Sequence, residues 1–344
     1  MQIKIAERLH PFSHQSATFC LIPYTTWEVQ IFPTRLYFRH LIHSKDFDLR
    51  LSFKGPIKNF TLEQDLEHGV IRVFGESLEG YIEYLIVKDT LQFKKLPIAG
   101  ILCGNTTVHK GMVYPLPIEA FTLAESKERL SLGMHRSQDW DNVKRRLDLK
   151  EIFPAWLRLA ALIPEEKTKP IPNEGTLTLL NQCKQAIESE DKTELCTLFT
   201  QLFQAGLQGI LAPRLTDENF LGIAPEGKTS GFPLILLHEG AHLIKSLFFK
   251  EEQDTVYILP LLPPEFHSGR LLLGEEIAIE WSKKLIKKII WKSPIDREIR
   301  LNLQRPIQSF RLRHSMRDHG KKIFKDESFI LKAGKTVFLD QFKK

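Results

Sequence analysis

At 344 residues, 42% of them apolar and 26% charged, the chain has enough material for one large or two to three packed modules and too much apolar content for extended disorder. The formal net charge of +6 is spread along the chain and favours acidic partners only mildly. No C-x-x-C pair, zinc-finger spacing, RNP-like strand or glycine-rich phosphate loop occurs, so nucleic-acid binding and nucleotide-dependent chemistry are not expected.

Four cysteines, Cys20, Cys103, Cys183 and Cys196, stand far apart and read as buried reduced thiols. The N-terminus has no basic start followed by an apolar stretch, and no window approaches the ~18 apolar residues of a membrane span. A cytoplasmic location without membrane contact is the expectation.

From Trp27 to Phe93 apolar and polar residues alternate in short bursts: WEVQIF, RLYFRHLI, FDLRLSF, KNFTLEQDL, GVIRVFG and GYIEYLIV. Turn signals fall at Lys54-Gly55-Pro56, His68-Gly69 and Glu79-Gly80. Period two between turns predicts antiparallel strands with one buried face, hence an N-terminal β-sandwich, or one large twisted sheet, over residues 1–112. Near Pro115 the apolar spacing changes to three and four residues, which predicts amphipathic helices packed on one another over 113–252. The polar, proline-bearing stretch 165–175, EEKTKPIPNEG, reads as a linker or surface loop. After Phe249 the pattern returns to period two, predicting an antiparallel β-domain over 253–344. Its lysine run, Lys283 through Lys288 to Lys292, is placed on the solvated face of a hairpin turning at Ser282-Lys283-Lys284. The fold class is therefore α+β and multidomain: sandwich, helical region, antiparallel β-domain.

Three stretches could carry chemistry. The first is His238-Glu239-Gly240-Ala241-His242. On a helix, histidines at i and i+4 face the same way, so both imidazoles can hold one zinc ion while Glu239 activates a bound water. A third ligand is required, and Glu275 or Glu276 lies at a suitable distance downstream. Against zinc stands Gly240, which weakens a helix. The alternative is a structural helix with Glu239 in a surface pair.

The second stretch, Gly133 to Asp141, reads GMHRSQDWD. Ser137 as N-cap, with Asp139 and Asp141 in the first turn, would satisfy a helix N-terminus. The functional alternative is a sugar site, with Trp140 as stacking platform, His135 and Arg136 binding hydroxyls, and Asp139 and Asp141 as acid and base. Glycosidases need two such carboxylates. The third stretch, Cys103 to Lys110, holds a Cys, an Asn and a His and reads as a turn. Trp156 reads as core.

The segment Ile258-Leu259-Pro260-Leu261-Leu262-Pro263, with Phe266, Gly269 and Glu280-Trp281 behind it, resembles the region after the catalytic barrel in glycoside hydrolase families 95 and 65, the inverting six-hairpin glycosidases and phosphorylases. The tail Leu331 to Leu339 is similar to their final strand pair, and RLYFRHLIHS followed by LRLSF to their opening sandwich. The resemblance implies a partial α/α barrel in the middle and carbohydrate as substrate or ligand, with no cofactor. A full barrel of twelve helices at about 12 residues each needs roughly twice the stretch between Pro115 and Phe249. Three readings follow: a reduced glycosidase-like protein acting on or binding carbohydrate, a zinc peptidase built on HEGAH, and a non-catalytic interaction protein on a glycosidase-derived fold.

Overall fold

A computed structural model describes residues 3–124, 127–165, 172–217, 231–274, 276–315 and 317–344, and of residue 193 the backbone alone. The stretch read as a linker, 165–175, lies outside the described residues from 166 to 171.

Alternation in the first hundred residues produces two antiparallel sheets. Four strands, Thr18–Leu21, Trp27–Phe32, Arg35–His40 and Asp46–Arg50, lie in chain order. The cross-strand partners Val29 and Phe38, and Ile31 and Leu36, are all buried. Six further strands pair in the order Phe12–Ser13, Lys58–Asp65, Val70–Ser77, Gly80–Val87, Thr90–Lys95 and Val113–Pro115. Their inner face carries Leu62, Ile71, Val73, Ile82, Tyr84, Leu91 and Phe93. Burial of one face fixes register, because a one-residue slip would turn every one of these side chains outward. The buried Gln64 carboxamide donates to the carbonyl of Leu21 at 2.8 Å and so links the two sheets.

The middle of the chain supplies five helices among the described residues: α1 (Trp140–Arg146), α2 (Leu149–Ala160), α3 (Leu177–Glu188), α4 (Lys192–Gly206) and α5 (Leu234–Ser246). Five helices cannot close a ring of six helical hairpins. The buried face of α2 carries Ile152, Phe153, Trp156 and Leu159, spaced at three and four residues. Phe153 meets Phe199 of α4 edge-on at 5.0 Å, and Trp156 Nε1 donates to the carbonyl of Leu237 in α5 at 2.9 Å.

In the last third, seven strands pair in the order Arg129–Ser131, Gly269–Leu273, Ile277–Ser282, Leu285–Lys292, Thr336–Lys343, Ser309–Arg313 and Lys321–Phe324. Arg129–Ser131 precedes the helices in sequence yet pairs antiparallel with Gly269–Leu273. A second, four-stranded sheet runs Phe249–Glu252, Thr255–Ile258, Arg297–Asn302 and Ser328–Leu331, with one parallel pairing between its two middle strands. The motif residues near Pro263 form a packing unit. A Cβ at Gly269 would meet the Trp281 ring, 2.6 Å from Cη2, and Trp281 Nε1 donates to the carbonyl of Phe266 at 3.2 Å.

The lysine hairpin turns at Lys283 and Lys284, both at positive φ, 53° and 63°. Lys288 corrects the expectation of a wholly solvated lysine face, because it is 8% exposed and lies directly across from Glu280. One apolar core joins the sheets and the helices. All five tryptophans belong to it: Trp27 is 5% exposed, and Trp140, Trp156, Trp281 and Trp291 are below 2%. No described helix is long and apolar enough to cross a membrane.

Candidate functional site

HEGAH does form a helix, α5, and the glycine in it has a packing reason. A Cβ at Gly240 would collide with Trp156, 2.9 Å from Cε2, so α2 and α5 approach closely only over a residue without a side chain. His238, Ala241, His242 and Lys245 form one stripe of α5. They line a cleft of about 250 Å³ facing Leu157, Ala160, Ala161, Glu165 and Glu128. His238 is buried, and its Nε2 donates to the carbonyl of Pro164 at 3.1 Å. Burial holds its imidazole below the ordinary value, against the pull of Glu165 and the Pro164 carbonyl. His242 is exposed, with Nε2 3.6 Å from Glu165 Oε1, and Lys245 pairs with Glu128 at 2.7 Å.

The expected third ligand is corrected. Glu276 sits on the turn between Gly269–Leu273 and Ile277–Ser282, where its carbonyl accepts the Lys292 amide at 2.7 Å, and it does not line the cleft. Glu275 lies outside the described residues. The carboxylate beside the imidazoles is Glu165. Glu239, on the neighbouring face of α5, is half-buried and does not line the cleft.

In the 133–141 stretch, Trp140 is 1% exposed, with its ring edge-on to Phe203 at 6.1 Å. A buried ring presents no face to a sugar, so Trp140 is core and not a platform. The N-cap is Asp139 rather than Ser137, its side chain accepting from the amides of Asp141 and Asn142 at 3.1 and 3.3 Å. Asp141 accepts from Ser13 Oγ at 2.8 Å and pairs with Lys144 at 3.2 Å. Both carboxylates are thus committed to α1 and its anchorage. His135 is exposed, 3.5 Å from Glu7, and Arg136 is exposed beside a small cavity under Glu7 and Gln138.

Burial pushes the thiols of Cys103 and Cys183 up to about 12 and that of Cys20 higher still, while burial and the adjacent Glu265 do the same for Cys196. Cys103 opens a hairpin, Ile101–Cys103 with Thr106–Val108, as the turn reading expects.

The chain matches no protein-family model and no curated protein.

Two arrangements escaped sequence reasoning. One is an open groove of about 600 Å³ between the edge strand Asp46–Arg50 and the 117–121 segment. His40, His43, Asp46, Phe47, Glu119 and Phe121 line it. Phe121 is 38% exposed, while Phe47 stacks on Phe38 at 4.4 Å. Asp46 accepts the Tyr37 hydroxyl at 2.6 Å. His40 is fixed in one tautomer, since Nδ1 accepts the amides of Ile42 and His43, each at 3.0 Å. The ring proton therefore sits on Nε2, 3.0 Å from Thr26 Oγ1. Burial, and then the nearby His43 and Lys45, hold this imidazole below its ordinary value. The other arrangement is His10, Glu63 and Asp65, the group among the described residues whose donor atoms are close enough together to hold a metal ion.

Proposed function

We propose that the chain is a carbohydrate-binding protein, a sandwich and a C-terminal β-domain of glycosidase-like character around a reduced helical middle, which takes an oligosaccharide in the groove at His40 and Phe121. The observation that carries this reading is the groove's lining. An exposed phenylalanine ring offers a face to sugar C–H groups, and the carboxylates of Asp46 and Glu119 offer acceptors for hydroxyls. The commitment of Asp139 to capping α1, and of Asp141 to Ser13 and Lys144, leaves the 133–141 stretch no free pair of carboxylates for hydrolysis and so favours binding as the activity. Calorimetric titration with a panel of neutral oligosaccharides tests it. Binding that weakens at least tenfold in both Phe121→Ala and Glu119→Gln is expected. Failure of every sugar to bind at millimolar concentration, or indifference to both substitutions, rejects the reading.

A second reading keeps one observation in its favour: His238 and His242 open onto the same cleft as Glu165. A zinc peptidase there would take Glu165 in place of Glu276, and His238 Nε2 would have to leave the Pro164 carbonyl. Peptide hydrolysis that requires bound zinc and is abolished by Glu165→Gln in a folded protein would favour it.

A further inference from the structure

Antiparallel pairing brings together donors that stand 53 residues apart in sequence. Phe12 pairs with Glu63. The ladder continues with the Gln64 amide donating to the Pro11 carbonyl and the Leu66 amide to the Leu9 carbonyl, at 2.8 and 3.0 Å. His10 therefore lies opposite Asp65, and period two puts Glu63 on the same face. His10 Nδ1 is 3.2 Å from Glu63 Oε1 and 3.7 Å from Asp65 Oδ1, and the three donor atoms all lie within 4.8 Å of one another. For zinc bonded to nitrogen and oxygen, the edge of the coordination tetrahedron is about 3.3–3.5 Å. The two separations from His10 bracket that edge.

We propose that His10, Glu63 and Asp65 form a binding site for a zinc-like divalent transition-metal ion, with the fourth position open to solvent. The two carboxylates on one strand face beside the His10 imidazole offer a dication the charge and the donor atoms that it needs. One imidazole among the donors selects zinc, cobalt or nickel over calcium and magnesium, which prefer all-oxygen shells. His68 is a positioning residue. Its Nδ1 contacts Asp65 Oδ2 at 2.7 Å, while the amides of Glu67 and His68 donate to Oδ1 at 2.9 and 3.0 Å, so the carboxylate is held in one orientation. The ion would join the N-terminal segment to the hairpin Lys58–Ser77 by coordinate bonds in addition to the backbone ladder. The site is separate from the groove and from the HEGAH cleft and needs neither functional reading.

The test uses the full, untagged chain. Zinc uptake is read by competition with a chromophoric chelator, and the visible absorption of the cobalt-loaded protein reads the geometry without any substitution. One ion per chain is expected, with the intense visible bands of four-coordinate cobalt and no competition from calcium or magnesium. His10→Ala and Asp65→Asn should each weaken zinc at least tenfold. His68→Ala, in an exposed turn that tolerates change, should weaken it several-fold, and His238→Ala should leave it unaltered. No uptake, an octahedral cobalt spectrum, or zinc lost in His238→Ala but kept in His10→Ala overturns the proposal.

Discussion

His40 is the residue whose hydrogen bonds say most about how the protein responds to its surroundings. Its Nδ1 accepts two backbone amides, so protonation would set a third N–H against them and break the 40–43 turn beside the groove. Burial, and then the nearby His43 and Lys45, hold the folded imidazole below its ordinary value, and burial does the same to that of His238. Between the ordinary imidazole value near 6.5 and the lower folded values, the unfolded chain binds protons that the folded chain refuses. Stability should be fully present above pH 7 and decline as pH falls below about 6.5, levelling off once the folded imidazoles protonate. Urea midpoints from pH 7.5 to 5 test this. His40→Gln should flatten part of the decline, and a profile that rises on acidification would contradict the assignment. None of this was legible in the sequence, where His40 is one polar residue in an alternating strand, because the amide N–H groups it satisfies belong to a turn whose shape no pattern specifies.

Among the elements, α1 shows where sequence reasoning reached and where it stopped. The stretch GMHRSQDWD announced a capped helix, and a helix with an acidic cap is there, but the cap is two residues later than Ser137. Capping pattern alone does not choose between neighbouring serine and aspartate; the bridge between Phe12 and Asp139 does, by fixing where the chain turns. The burial of Trp140 lies beyond the pattern, because spacing says which face of a helix is apolar but not what lies against it. Asp139→Ala should cost about 1 kcal/mol of stability in chemical denaturation, the usual worth of an N-cap, and leave oligosaccharide binding intact. Loss of binding in a variant with normal stability would return the sugar site to this stretch. Hairpins were the most legible elements, since alternation and turn residues are local. Lys288 is the exception, because its burial depends on which strands flank the hairpin on the sheet.

For the whole molecule, the N-terminal segment acts as a seam. Its backbone carbonyls accept from side chains of later elements: Lys4 from Arg270 at 3.1 Å, Glu7 from Arg129 at 2.5 Å and Arg8 from Gln138 at 2.7 Å. Gln138 also accepts the His10 amide at 2.6 Å, so one carboxamide holds the segment twice. Gln138→Ala should lower global stability by about 1–2 kcal/mol, two ordinary hydrogen bonds, and speed proteolytic cutting before residue 13. Unchanged stability and cutting would mean that the ladder to residues 62–66 suffices. The order of β, α and β textures was readable from periodicity, yet the long-range pairing of Arg129–Ser131 with Gly269–Leu273 was not, because nothing local in three residues names a partner as distant in the chain as Leu272 is from Arg129. The tryptophans sample this assembly unusually evenly: Trp27 in the first sheet, Trp140 and Trp156 in α1 and α2, Trp281 and Trp291 in the seven-stranded sheet. Since each indole is shut away from water, emission should be shifted to the blue and protected from acrylamide in the native state. Versions retaining one indole at a time would then act as built-in optical gauges, reporting whether sheets and helices melt together or in succession.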